Sequence, residues 1–188
     1  MTGRVFGFVV LGLSTLASGA FAGENSSTQE PEGYRGENLR SPTPATLRGA
    51  RVVSTPEAEA LWKKRAAAFI DVLPHVPRPP DLPAGTLWRG QRRLSIPGST
   101  WLPDTGYGEL SPAAEDYLRS GLKRATGSNH ATPVVIYCMR DCWMSWNAAK
   151  RAVSWGYTGV IWYPDGTDGW QDAGLPLAES SPAPNPAE

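Results

Sequence analysis

Between Arg51 and Leu175 the chain alternates short, continuous apolar runs with stretches whose apolar residues recur at helical spacing. Val52-Val53 is a minimal strand. Thr55-Pro56-Glu57 supplies a cap, an early proline and a first-turn acid, which together start a helix. Ala58, Leu61, Trp62 and Arg65 fall on one face of it. Phe69 to Leu73 reads as a second strand with Asp71 in its middle, and Pro74 to Ala84, with five prolines, as a loop. Ser95 to Pro103 is a turn leading into a third strand. Ser111-Pro112 repeats the cap-plus-proline signal. Ala114, Tyr117, Leu118, Gly121, Leu122 and Ala125 then form a helical stripe, with Gly127 at its end. Val134 to Tyr137 predicts a buried strand, and about Trp143 to Trp155 a helix stopped by Gly156. Val160 to Tyr163 predicts the last strand. Pro164 to Gly169 reads as a turn, and Trp170 opens a short closing segment.

Strands alternating with helices predict right-handed βαβ units and a parallel sheet. Continuous apolar strands are expected when both faces of the sheet are covered. The fold expected is α/β, a short parallel sheet of about five strands with helices on both faces. No glycine-rich phosphate loop, heptad or internal repeat is visible.

Residues 1–22 read as a secretory signal: Arg4, an apolar core, then Ala20-Phe21-Ala22 before Gly23. The apolar run is shorter than the ~20 residues a membrane span requires. No later stretch resembles a span. The expected location is therefore periplasmic. Residues 23–46 are polar and rich in Gly, Pro, Ser and Glu, and read as a flexible tail; 179–188 read as a Pro-rich one. The folded domain is expected over 47–178. Lys plus Arg and Asp plus Glu are equal at 18 each, so no basic footprint for nucleic acid exists.

The chemistry concentrates at one turn. Both cysteines of the chain, Cys138 and Cys142, flank Met139-Arg140-Asp141 between the central apolar run and the helix that follows. Ligands of parallel sheets sit at the carboxyl ends of strands, where Cys138 stands. Backbone N–H groups at a helix start are left over by the helix and favour a thiolate there. Four uses of the pair remain open. The first is a redox couple, with Cys138 attacking and Cys142 resolving. The second is a structural disulfide, which export permits. The third is sulfane-sulfur handling on Cys138, and the fourth is binding of a soft metal such as Cu(I). No cofactor is otherwise predicted. His75 and His130 lie in loops, a poor supply for a closed zinc site. Arg140 and Asp141 read either as site residues or as an exposed turn pair. Asp71 orients the turn or caps a loop, and Asp165 and Asp168 line the pocket or form Asx turns. Trp143 follows Cys142 directly and suits packing or site equally. Trp155, Trp162 and Trp170 read as core.

The ordered set of segments resembles rhodanese-like (sulfurtransferase) domains. Phe69-Ile70-Asp71-Val72 followed by Ser95-Ile96-Pro97-Gly98-Ser99 is similar to that family's first signature. Val135-Ile136-Tyr137-Cys138 is similar to its cysteine strand, Trp155-Gly156-Tyr157 to its Gly-Tyr, and Asp165 to Trp170 to its closing Gly-Gly-x-x-x-Trp. Ala173-Gly174-Leu175-Pro176 is similar to the tail of that motif. The likeness covers about residues 50–178 and implies a persulfide-forming role for Cys138. The family's loop reads Cys-x-x-Gly-x-Arg-Ser. Here Asp141 stands at the glycine, Trp143 at the arginine, and Ser95 replaces the turn histidine. Cys138 to Lys150 and Tyr163 to Trp170 also resemble exported CXXCW-motif proteins associated with catabolism dependent on pyrroloquinoline quinone (PQQ). That resemblance implies a place beside periplasmic alcohol oxidation, with a quinoprotein dehydrogenase or its cytochrome as partner. A small thiol or sulfur donor is the expected reaction partner. Two functions follow: thiol redox or sulfur transfer at Cys138, or a non-catalytic assembly module with a structural bridge and a Trp-rich contact surface.

Overall fold

The computed structural model describes residues 1–3, 28–76, 78–88 and 92–185. The predicted leader beyond residue 3, with its cleavage site, lies outside the described residues. Among the described residues no helix is long and apolar enough to cross a membrane.

Five parallel strands form the main sheet. They are β1 (Arg51–Val52), β2 (Ala68–Asp71), β4 (Thr100–Trp101), β5 (Val134–Tyr137) and β6 (Val160–Tyr163), in the order β1-β6-β5-β2-β4. β5 is central, paired with β2 from Ala68↔Val134 to Asp71↔Tyr137 and with β6 from Val134↔Val160 to Tyr137↔Tyr163. The period of two along each strand divides the core. Val134, Ile136, Ile70, Val160 and Trp162 face α2 (Pro112–Thr126) and α3 (Trp143–Ser154). Val135, Tyr137, Phe69, Ile161 and Tyr163 face α1 (Thr55–Lys63) and α4 (Gly166–Asp172). Both faces of the sheet are thus covered, and the α/β architecture is the one expected.

Two of the four described helices start at side-chain caps. Ser111 accepts from the Ala114 N–H at the start of α2, and Gly127 closes that helix with φ of 60°. At α1 the cap is Ser54 rather than Thr55. Ser54 and Glu57 form a capping box, and Pro56 sits one position deeper in the first turn.

Three expectations shift. Ahead of the turn that runs from Ser95 into β4, which stands as expected, lies a further short strand. β3 (Arg93–Ser95) leaves the main sheet and pairs antiparallel with β7 (Ala178–Ser180), while β4 stays on the edge of the main sheet. The stretch read as a turn from Pro164 to Gly169 contains the start of α4. Its local residues favour turns, but complete burial of Trp170, with Nε1 donating to the Pro176 carbonyl at 2.9 Å, holds the helix. Asp71 ends β2 instead of lying in its middle.

The two polar ends are engaged with the domain. Residues 28–50 run along α3 as a strap. Leu47 is buried, Leu39 packs on the core, and Trp146 Nε1 donates to the Thr46 carbonyl at 3.1 Å. Asn147 clasps Arg35 from both sides, accepting its N–H and donating to its carbonyl, each at 2.9 Å. Composition gave no sign of this because the anchors are mainly backbone groups, which any sequence carries. At the other end, β7 joins β3, the Ala183 N–H donates to the Trp101 carbonyl at 2.8 Å, and Tyr117 donates to the Ala183 carbonyl.

Candidate functional site

β5 ends at Tyr137 and the chain turns through Met139-Arg140-Asp141 into α3, whose N-cap is Cys142. Cys138 and Cys142 are joined as a disulfide, their Cα atoms 6.6 Å apart, within the reach of such a bridge. No free cysteine is present among the described residues. Asp141 makes the turn with φ of 52°, the left-handed conformation that glycine adopts freely and Asp tolerates better than most residues. Asp141 therefore occupies the place of the family glycine in a backbone conformation open to that glycine.

The turn is clamped on three sides. Beneath it, the Cys138 carbonyl accepts from the Thr167 N–H at 3.1 Å, the Thr167 hydroxyl at 3.2 Å and the Arg93 guanidinium at 3.4 Å. Gly166 at the start of α4 meets Met139 so closely that a Cβ would lie 2.6 Å from the Cys138 carbonyl oxygen, which requires glycine there. To one side, Arg140 donates to Asp172 at 2.7 Å and lies 3.8 Å from Asp165, while its N–H donates to Asp168 at 3.3 Å. The hydrogen bond that Arg140 donates to Asp172 raises the Arg140 pKa above its ordinary value. On top lies the strap. Arg40 pairs antiparallel with Cys142 and donates to the Arg140 carbonyl at 3.0 Å, and the Trp143 N–H donates to the Leu39 carbonyl at 2.9 Å.

These contacts place the residues singled out in the sequence. Arg140, Asp165 and Asp168 do come together beside the turn, where the Arg140 cation is paired with Asp172 and lies beside Asp165. The N–H at the first position of α3 is not left over for an anion, since the strap carbonyl fills it. Trp143 is 1% exposed, its Nε1 donating to the Ser41 hydroxyl at 3.1 Å and its ring set edge-on to Trp146. It is therefore packing, not the exposed contact surface that an assembly role assigns to it. Cys138 and Cys142 are 0% and 2% exposed. They are joined as a bridge, and among the described residues no three His, Cys, Asp or Glu side chains are grouped to share a metal.

Asp71 serves both readings given for it. Its carboxylate caps the Leu73 N–H at 2.9 Å and also accepts from Ser95 and, at 2.6 Å, from Arg93. Complete removal from water pushes the Asp71 carboxyl up, while Arg93, Ser95 and the Leu73 amide pull it down. Arg93 therefore links the buried acid of β2 to the carbonyl of Cys138. Sequence reasoning missed Arg93 and Thr167. A signal for Arg93 was present: an acid inside an apolar strand demands a counter-charge. Thr167 had none.

A cavity of about 130 Å³ lined by Leu73, His75, Arg93 and Trp101 lies on the β2 side of this linkage. A cavity of about 660 Å³ lined by Trp62, Ala68, Phe69 and Gly98 opens at the amino end of β2, the opposite end of the sheet from Cys138.

A family model described as "Rhodanese-like domain" matches residues 55–173. No curated protein matches the chain. Among solved structures, a thiosulfate sulfurtransferase from Pseudomonas aeruginosa is similar at 20% identity and a TM-score of 0.49, over 72% of this chain and 21% of that one. The chain thus spans about a fifth of the length of that protein. A polysulfide-sulfur transferase homodimer from Wolinella succinogenes is similar at 20% identity and a TM-score of 0.42, over 71% of this chain and 81% of that one. The matched span runs from α1 to the end of α4 and includes the whole cysteine turn. With well over half of its length matched, the chain belongs to the rhodanese-like domain family.

Proposed function

We propose that this chain is an exported rhodanese-like module whose Cys138–Cys142 pair cycles between disulfide and dithiol. The observation that carries the reading is the bridge itself. It joins the carboxyl end of the central strand to the N-cap of α3, so a reactive sulfur there is created or withdrawn by a two-electron step. In the reducing direction an external thiolate attacks one sulfur and forms a mixed disulfide. The other sulfur leaves as a thiolate, and a second external thiol completes the exchange, giving two protein thiols and one external disulfide. In the reverse direction Cys138 attacks and Cys142 resolves. A reduced Cys138 is also the atom that would accept sulfane sulfur from a donor, as the family resemblance implies. The likeness of Cys138 to Lys150 and of Tyr163 to Trp170 to the PQQ-associated CXXCW proteins supports a place in periplasmic alcohol oxidation, beside a quinoprotein dehydrogenase or its cytochrome.

A second reading rests on a different observation. Both sulfurs are buried, which suits a structural bridge in a non-catalytic assembly module. The reduction potential separates the two. A working pair gives a value between about −120 and −200 mV, with one thiol below a pKa of about 7. A value below about −300 mV with ordinary thiols marks a structural bridge and overturns the redox proposal. Co-purification of the oxidised protein with a quinoprotein dehydrogenase at near-physiological salt tests the partner.

A further inference from the structure

The structure assigns a second role to the N-terminal strap: residues 35–46 are a gate that shuts the Cys138–Cys142 bridge from solvent and must open before either sulfur can react. The inference rests on the bridge and deepens the proposed function by naming what controls access to it. The turn itself is not deep. Arg140 and Asp141 are exposed, so the residues between the cysteines reach the surface while the sulfurs do not. The edge of the turn beside Cys142 is paired with Arg40, and the first N–H of α3 is closed by the Leu39 carbonyl. Ser41 holds Trp143, and Asn147 holds Arg35, so the strap is pinned at both ends of the segment that crosses Cys142.

The strap is also the piece of this enclosure that can leave at least cost. Its contacts are a bridge of one residue pair, separate hydrogen bonds, the Arg35 guanidinium over the Trp143 ring, and apolar seats at Leu39 and the buried Pro44, not a sheet ladder. The other two walls, α4 and the Arg93–Asp71 pair, belong to the folded core. Segments with few buried apolar contacts open locally, well below the free energy of global unfolding. Closure and oxidation state are coupled in both directions. Cys142 is at once a bridge sulfur and the residue Arg40 pairs with, so reduction that frees the turn loosens the strap, and an open strap speeds reduction.

The test uses the oxidised protein with tris(2-carboxyethyl)phosphine. The phosphine attacks one sulfur and the other leaves as a thiolate; water then releases the bound sulfur as a thiol and the phosphine departs as its oxide. Because that reaction runs one way, the rate reports access and not potential, so the gate and the redox proposal fail separately. Leu39→Asp places a charge in the strap's apolar seat. Reduction is expected to accelerate about tenfold or more, with hydrogen exchange of the Trp143 amide rising by the same factor. Val52→Ala, on the edge strand β1, is expected to leave both rates unchanged and controls for general loosening. If Leu39→Asp does not fold, Arg40→Ala with Ser41→Ala removes two strap bonds and is expected to shift both rates in the same direction by less. Faster exchange at Trp143 with unchanged reduction overturns the gate. So does reduction of the unmodified protein at the rate of an exposed peptide disulfide.

Discussion

At the scale of single residues, two ionisable groups carry measurable consequences. Glu57 is held down to a pKa of about 2 from its ordinary 4.5, chiefly by the Ser54 N–H and then by Arg51 and the Ser54 hydroxyl. Its folded value lies below its unfolded one, so its contribution is complete above about 4.5 and fades as pH falls towards about 2. Glu57→Gln is therefore expected to lower Tm at pH 7 and to melt together with the parent protein at pH 2. A pH series of thermal melts checks this. Arg93 is the sharper case. Its guanidinium is 10% exposed and its partner Asp71 fully buried. Arg93→Met leaves that carboxylate without a counter-charge and is expected to cost about 3–5 kcal/mol in urea unfolding. Adding Asp71→Asn is expected to return part of that loss, because the penalty belongs to the unpaired charge.

At the scale of elements, packing decides what local preference leaves open. α2 was legible to its ends, because Ser111, Pro112 and Gly127 state its bounds chemically. α4 was not, because Gly166, Asp168 and Gly169 favour turns, and only the burial of Trp170 against Trp62, Phe69 and Tyr163 overrides them. Trp170→Ala is accordingly expected to cost about 3–5 kcal/mol, measured by denaturant unfolding. It should also loosen the turn, since the Cys138 carbonyl is held by Thr167 of the same helix. The exchange rate of the Thr167 amide reports that. β3 escaped the sequence for a related reason. β3 finds its partner in β7, more than eighty residues away, and no local pattern announces such a pairing.

At the scale of the whole molecule, the places along the chain of the main-sheet strands and of both cysteines were readable, because apolar run lengths and cap residues are local facts. What held the turn was not readable. Arg93, Thr167 and the strap all reach Cys138 or its neighbours from distant parts of the chain. The bridge closes a loop so short that its chain-entropy contribution is only about 2 kcal/mol. Cys138→Ala with Cys142→Ala is thus expected to leave a folded protein with a modestly lowered Tm. Circular dichroism and calorimetry check it; complete unfolding would show that the bridge carries far more of the fold than its loop length allows.

The strap has one further consequence, in time and not in space. Arg40 precedes Arg140 by 100 positions, and Ser41 precedes Trp143 by 102. The segment that covers the turn is made well before the turn exists, and contacts across so long a chain are entropically late to form. Held by separate bonds where the sheet is held by a ladder, the cover is expected to be laid down last. The pair is then expected to meet its oxidant while still open, with closure following oxidation. In refolding from the reduced, unfolded chain, disulfide formation is expected to precede protection of the Trp143 amide. A pulse of hydrogen exchange during oxidative refolding reads the order directly.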